Sequence, residues 1–475
     1  MGRPTVFPTG TTIYDPEKCQ SGYTLFTGPN KGVLLINMNG KVVRYWKDFQ
    51  GFPCKMIPGG HLFGHLGERD PEAAYQDQTD VTEVDWDGNV EWTFNRNQQV
   101  KDDDEAGEQW VARAHHDFQI EGNPVGYHIP GQESTNDFNK VLLLTHNDVR
   151  KPKISPQLLL DDRLIEVDRE GNILWEWSTL DHINDFNFTE AQKNVIYRDP
   201  NTQDAGAEGE GDLFHVNCAS YLGPNHWYDE GDERFNPNNI IMDSRETNML
   251  WILDHETGKI VWKIGPDYTQ SRELRILGAI IGPHHTHMIP RGLPGEGNIL
   301  VYDNGGWAGY DQPSQVSKTG LKTQRRDGSR VIEFDPVTLK VVWECRDTNE
   351  TVGFPFSAHN FYSPLTSDAQ RLENGNTLIC EGTTGRFMEM TPEKELVWEY
   401  VYPDVGPALL YRAYRIPYEW IPQLDAPEEV AIPRCDNAQF RLPGAEAPGY
   451  DEAEVSVEGA RGFHANMAHC VDKLN

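Results

Sequence analysis

The sequence has no Cys-x-x-Cys pair. Its seven cysteines are Cys19, Cys54, Cys218, Cys345, Cys380, Cys435 and Cys470, a spacing that excludes a zinc ribbon or thioredoxin-like centre. An odd count leaves at least one thiol free, and Cys435 and Cys470, both in the C-terminal tail, could pair in an oxidising compartment. Basic residues are scarce. The 42 Lys and Arg stand against 74 Asp and Glu, for a formal net charge of -32. That excludes nucleic acid and an anionic membrane as partners and is read as a solubility device. Two acidic runs, Asp102 to Glu105 and Glu208 to Asp212, could bind a cation, but such runs are commonly solvated loops. No stretch of 18 apolar residues occurs, so no transmembrane helix is expected. Met1 to Asp15 carries no basic segment leading into an apolar one. The expected compartment is the cytoplasm, or the periplasm or exterior if a signal has been removed.

What the chain has in abundance is turns and aromatics: 43 Gly, 31 Pro, 13 Trp, 18 Tyr and 19 Phe in 475 residues. Length alone suggests two or three domains, but a repeat lets one unit run this long. A phrase of apolar strand, polar turn and Trp-ending strand recurs at Val33–Trp46, Val81–Trp92, Leu164–Trp175, Leu250–Trp262, Val331–Trp343 and Phe387–Trp398. Each copy reads as a hairpin closed by Asp or Gly. A lone hairpin is marginal in water, so each must belong to a larger unit that buries its faces. Upstream of several copies lies a second strand–turn–strand element, at Lys55–Gly60, His116–Asn123, His287–Gly292 and Gln370–Ile379. Four strands per unit in a radial array satisfy every edge. The fold class is therefore all-β, a six-bladed β-propeller with acidic loop insertions (about 184–212) and an irregular C-terminal extension. The expected divisions are an N-terminal arm over 1–20, the propeller over 21–403, and an extension over 404–475 that packs on it. Gly22 to Phe26 is the expected N-terminal contribution to ring closure.

In that topology the first strand of a blade lies nearest the axis. The polar residues there are His115, His116 and Asp117; His215 and Asn217; Asp243, Ser244 and Arg245; His284, His285 and His287; His359 and Asn360. Strand alternation puts His115 and His116 on opposite faces, and His285 with His287 on one face away from His284. Neutral imidazoles can act as nucleophile, acid and base, and a guanidinium at Arg245 can grip a sulfate, phosphate or carboxylate with two hydrogen bonds. His61, His65, His128, His182, His226 and His255 are less well placed, and His255 is expected in solvent at an outer turn.

The order of these motifs resembles a known family. His-His-Asp at 115–117, His-x-Asn at 215–217, Ile-Ile-x-x-Ser-Arg at 240–245, Thr257 to Gly265, Met288-Ile289-Pro290, and Gly297-Asn298 through Asp303-Asn304-Gly305-Gly306 are similar to the bacterial PAPS-independent aryl-sulfate sulfotransferases. So are Ala369–Ile379 and Gly22–Phe26, so the resemblance spans about Thr12 to Pro403. It implies a six-bladed propeller that moves a sulfuryl group between small phenols by a ping-pong route, through a transiently sulfated axial histidine and without a cofactor. On that resemblance His116 and His215 are the acid/base and oxygen-contacting histidines. His284, His285 and His287 contain the nucleophile, and Asn217 and Arg245 clamp the sulfate. His115 and His359 are further substrate-binding candidates. The histidines outnumber what sulfuryl transfer needs, which keeps a second expectation in play. His116, His215, His285 and His287 could ligate a transition metal in a hydrolase, lyase or oxidoreductase. A quinone-cofactor propeller is disfavoured because the Trp residues recur at one place in each hairpin, as packing requires. A non-catalytic binding propeller is the last alternative. Phenolic small molecules are the expected partners, with a homodimer left open.

Overall fold

Residues 9–29, 31–69, 76–131, 138–200, 211–314, 317–347, 361–403, 409–434 and 453–460 are described in the computed structural model of the chain. Six blades of antiparallel strands make a β-propeller. Each recurring phrase forms the two outer strands of one blade, from Gly32–Ile36 with Val42–Lys47 in the first to Arg386–Met390 with Leu396–Val401 in the sixth. The turn acids close the hairpins. Asp85 Oδ1 accepts from the backbone N–H groups of Asp87 and Asn89 at 2.9 and 2.8 Å, and Asp335 Oδ1 accepts from Val337 and Thr338 at 2.8 and 2.9 Å. A short acceptor side chain there satisfies donors that the tight turn leaves unpaired.

The recurring tryptophans join blade to blade. Each indole N–H donates to a backbone carbonyl in the outer turn of the next blade. Trp46 reaches Trp86 (3.3 Å), Trp92 reaches Arg169 (3.0 Å) and Trp177 reaches Gly258 (3.0 Å). Trp262 reaches Pro336 (2.9 Å), Trp343 reaches Pro392 (3.0 Å), and Trp398 closes the circle at Met38 (2.8 Å). The third blade uses Trp177 rather than Trp175, two residues further along the same strand face. Trp175 instead stacks on His255 at 4.5 Å. His255 is thus not simply solvated: its Nε2 also meets Glu166 at 3.1 Å. Beneath this ring the blades interleave apolar faces, with Leu25, Val33, Leu35, Trp46, Leu300 and Ile379 among the side chains at 0% exposure. Each such side chain contributes about 1.5–3 kcal/mol on burial.

Both chain ends cross the seam. Ala413–Ile416 supplies the innermost strand of the first blade, paired with Tyr23–Gly28 in the register Tyr23↔Ile416. Gly10–Tyr14 adds to the outer edge of the sixth blade against Leu396–Val401. The ring therefore extends past residue 403 to Ile416, and residues before 21 are part of its sixth sheet, because closure needs one strand from each end. Glu454–Ser456 lies parallel on the outer edge of the first blade. Cys435, Cys470 and His359 lie outside the described residues, while Cys19, Cys54, Cys218, Cys345 and Cys380 are free thiols. No helix among the described residues is long and apolar enough to cross a membrane.

Inner strands are where regularity stops. Pairing slips between Ala114 and Phe118 in the third blade, Val216 and Cys218 in the fourth, and His284 and His287 in the fifth. His116, His215 and His285 sit at φ of 57°, 50° and 51°, the left-handed region that costs a non-glycine residue about 1–3 kcal/mol unless its surroundings hold it there. Such bulges re-aim side chains and gather near functional sites.

Candidate functional site

The bulge at His116 overturns the expectation that His115 and His116 face opposite ways. With alternation broken, their Nδ1 atoms approach to 2.8 Å. The His116 ring also packs edge-on to His215, with centroids 4.6 Å apart. His284 lies within charge reach of both. Three inner strands from consecutive blades thus deliver one buried group, with His116, His215 and His284 each at most 1% exposed.

Each ring is held differently. His215 Nδ1 meets Asp212 Oδ2 at 2.6 Å, and Asp212 Oδ1 accepts the His215 backbone N–H at 3.1 Å. The acidic run at 208–212 therefore ends in a fully buried carboxylate that orients a histidine, not in solvent. His284 Nδ1 meets Asn304 Oδ1 at 2.8 Å, and its Nε2 accepts the Thr366 backbone N–H at 3.1 Å. The proton then sits on Nδ1 and the lone pair on Nε2. His116 Nε2 and Asn217 Oδ1 have no hydrogen-bond partner. Burial, aided by neighbouring positive groups, holds the His116 and His215 pKa values well below the ordinary value and takes His284 down to about 3. All three are neutral at physiological pH, the state a nucleophile or base needs.

Arg245 follows the strand Ile240–Ser244 and donates its backbone N–H to His215 O at 3.0 Å. Its guanidinium pairs with buried Glu246 and depresses both His215 and His284. Asn217 Nδ2 donates to Pro283 O at 3.0 Å, tying the fourth blade to the fifth. An aromatic wall borders the group. Phe52 stacks on Tyr411 at 3.9 Å, Phe52 lies 4.8 Å and Tyr411 5.7 Å from the His116 ring, and Tyr411 lies 6.5 Å from His284. The Tyr411 hydroxyl donates to the His116 and Asn217 carbonyls at 3.0 and 3.1 Å.

His285 and His287 belong to a second group. Their rings lie 4.6 Å apart. His287 is fully engaged, with Nε2 on the Tyr127 hydroxyl at 2.9 Å and Nδ1 on His285 O at 3.0 Å. His285 faces Asp368 at 3.8 Å, and burial pushes the Asp368 carboxyl up to about 8. Arg412 lies in charge reach of His284, His285 and His287. It donates to Asn217 O at 2.8 Å and pairs with Asp117 at 3.2 Å. Asp117 in turn holds Lys55 at 2.7 Å, and burial takes that amine down to about 8.

The alternative metal set of His116, His215, His285 and His287 is not assembled. Among the described residues, the grouping that brings three ligand atoms within 4.8 Å of one another is His115, His146 and Asp162, which contains none of the four. The bulge between His284 and His287 explains the separation, since it sends His285 and His287 toward Tyr127 and Asp368 instead. Reading inner strands alone also missed Asp212, Tyr411, Arg412, His146 and Asp162. The available signal was the Tyr-Arg-Ala-Tyr-Arg segment at 411–415, the most aromatic and basic part of an otherwise acidic tail.

Among curated proteins no match is found. Solved structures that resemble the chain include a protein of unknown function from Bacteroides caccae, at 12% identity over 84% of this chain and 99% of that one, TM-score 0.40. A streptogramin B lyase matches at 11% identity over 87% and 88%, TM-score 0.36. The virginiamycin B lyase of Staphylococcus aureus matches at 12% identity over 86% and 88%, TM-score 0.34. At those scores none bears on function. A family model described as Arylsulfotransferase (ASST) matches residues 72–404. That span takes in the inner-strand histidines of three consecutive blades, Asn217 and Arg245, and it places the chain in the arylsulfotransferase (ASST) family.

Proposed function

We propose that the protein transfers a sulfuryl group from an aryl sulfate to a phenol through a transient sulfo-histidine, with His284 as the nucleophile. The observation that carries this reading is the convergence of neutral His116, His215 and His284 beside Arg245, with His215 oriented by Asp212 and the His284 proton held on Nδ1 by Asn304. The Nε2 lone pair of His284 attacks sulfur while the S–O bond to the aryl group breaks. His284 keeps its Nδ1 proton on Asn304, so the adduct is a neutral sulfo-imidazolium. The Thr366 N–H, released from Nε2, is available to a sulfate oxygen, and the Arg245 guanidinium, held by Glu246 within charge reach of His284, adds fixed positive charge. Such fixed donors stabilise the developing charge without reorganisation. In the second half, His215 takes the proton of the acceptor phenol as its oxygen attacks sulfur and the N–S bond breaks. Asp212 stabilises the imidazolium so formed. That proton goes to the leaving aryl oxygen of the next donor, which closes the proton balance. Phe52 and Tyr411 offer flat faces for the aryl ring.

A single-turnover experiment tests this. The protein is mixed with p-nitrophenyl sulfate without acceptor, and nitrophenol release and intact mass are followed. One equivalent of nitrophenol and one sulfonated chain are expected, discharged on adding phenol and absent in His284→Asn. Turnover without any adduct, or an adduct that persists in His284→Asn, overturns the assignment of His284.

A further inference from the structure

Behind His116 the third blade holds a second cluster that sulfuryl transfer leaves unused. His115 comes from the inner strand Ala114–Ile120, His146 from the second strand Lys140–Val149, and Asp162 from the third strand Leu159–Asp168. His146 and Asp162 are direct cross-strand partners. The His115 and His146 rings stack with centroids 3.6 Å apart and planes inclined by 14°. Both Nε2 atoms lie near one carboxylate, 3.5 and 3.7 Å from Asp162 Oδ1. All three side chains are at most 1% exposed. Nevertheless His115 Nε2, His146 Nε2 and Asp162 Oδ2 have no hydrogen-bond partner, a costly state for buried polar atoms.

A bound ion resolves all three at once. Ligand bonds of about 2.0–2.2 Å at tetrahedral angles set neighbouring ligand atoms about 3.3 Å apart, near the 3.5 and 3.7 Å that separate the two Nε2 atoms from Asp162 Oδ1, and the two rings must turn out of their stack for both in-plane lone pairs to reach one ion. Two imidazoles and one carboxylate suit a first-row transition ion and not calcium or magnesium, which take oxygen ligands. The outer contacts are those that metal-bound histidines require. His146 Nδ1 meets Asp77 Oδ1 at 2.6 Å, and Asp77 Oδ2 is gripped by Arg113 at 2.6 Å and Arg69 at 3.0 Å. His115 Nδ1 meets His116 Nδ1 at 2.8 Å, and Asp162 Oδ1 accepts the Val216 backbone N–H at 3.0 Å.

We propose that His115 and His146, through Nε2, and Asp162 together bind one divalent transition-metal ion beside the histidine group. Coordination at Nε2 keeps the His115 proton on Nδ1, where it donates to His116 Nδ1. His116 then carries its own proton on Nε2, as a donor into the sulfuryl-transfer group. The ion thereby acts as a positioning element and need not touch substrate.

The test reads metal binding and not turnover, so it stands apart from the assignment of His284. The full chain is stripped with chelator, reloaded with cobalt(II) and desalted. One equivalent per chain is expected to remain, with a visible ligand-field band. Two hyperfine-shifted, exchangeable imidazole N–H signals are also expected, one from each Nδ1 proton. His146→Gln and Asp162→Asn should each weaken cobalt binding by about 100-fold or more, with the fold checked by circular dichroism. Asp104→Asn, at an exposed acid paired only with Lys101, should leave it unchanged. The proposal is overturned if wild-type protein retains no stoichiometric ion, if the shifted N–H signals are missing, or if folded His146→Gln and Asp162→Asn bind as tightly as wild type. The first of these results would identify the cluster as a buried ion pair between protonated His146 and its two carboxylates.

Discussion

The outer rim and the inner strands of this propeller solve opposite problems. At the rim one device is used six times: an indole N–H reaching the next blade's turn. At the axis no two blades agree. The second presents Lys55, the third a His-His-Asp bulge, the fourth His215 with Asn217, the fifth three histidines, the sixth Asp368, and the first Arg412, just ahead of the C-terminal strand. The rim holds the blades in place, so the strand starts are free to differ. Strain is found there too, with His116, His215 and His285 all at positive φ. What repeats in this molecule is architecture, and what fails to repeat is where chemistry is to be sought.

The strongest way to break this comparison is at His284. His284→Asn removes the proposed nucleophile and is expected to lower kcat by about 1,000-fold or more, the scale of lost covalent and acid–base catalysis. The urea midpoint should fall only modestly, because an Asn amide can still reach one of the two partners, Asn304 or Thr366. A variant that keeps kcat within tenfold would show that the axial differences are not catalytic at this position. Next comes Arg245→Lys. It keeps the positive charge against Glu246 but loses the planar fork, and kcat/KM for an aryl sulfate should drop by about 100-fold. An unchanged kcat/KM would mean that Arg245 serves Glu246 alone.

How much of this could be read beforehand follows the same division. The six hairpins and their tryptophans were legible because period, turn acid and indole recur together. Closure through Tyr23–Gly28 was legible as well. The inner strands were legible in composition but not in geometry. Alternation assumes an unbroken ladder, and the bulge at His116 breaks it, whereas His285 and His287 do lie together and apart from His284. Asp212 was hidden in an acidic run that looked solvated, because the sequence alone does not say that its last carboxylate is buried under His215. His146 and Asp162 lie on second and third strands, outside any search limited to the axis. Trp177 rather than Trp175 makes the latch for a similar reason: both lie on the same strand face, and only packing chooses between them.

The second histidine group sharpens the comparison through pH. Burial takes His287 down to about 4, below the unfolded value of about 6.5. Between those values the unfolded chain binds a proton that the folded chain does not. Folded stability therefore falls as pH drops through that window and is recovered above pH 6.5. One such histidine should cost about 2 kcal/mol on going from pH 7 to pH 5. In His287→Gln, which can still meet the Tyr127 hydroxyl, the pH 5 to 7 difference in unfolding free energy should shrink by about that amount. An unchanged slope would show that His287 titrates normally.

The smallest effects belong to the rim, and there the comparison makes a graded prediction. Trp262→Phe deletes a buried bond of 2.9 Å to Pro336 O and leaves that carbonyl unpaired, which should cost about 1–3 kcal/mol of unfolding free energy, read from urea titration. Trp343→Phe deletes a bond of similar length, 3.0 Å, but one exposed to solvent. Water can replace the lost donor, so its cost should be about 0.5–1 kcal/mol. Neither should change kcat, since both indoles sit in outer strands far from the inner-strand histidines. If Trp262→Phe lowers kcat at unchanged stability, the rim is coupled to the axis and the division between repeated architecture and unrepeated chemistry fails at the fourth blade. If both variants cost the same, solvent access does not grade the latch, and the ring of indoles acts as one cooperative closure rather than as six separate bonds.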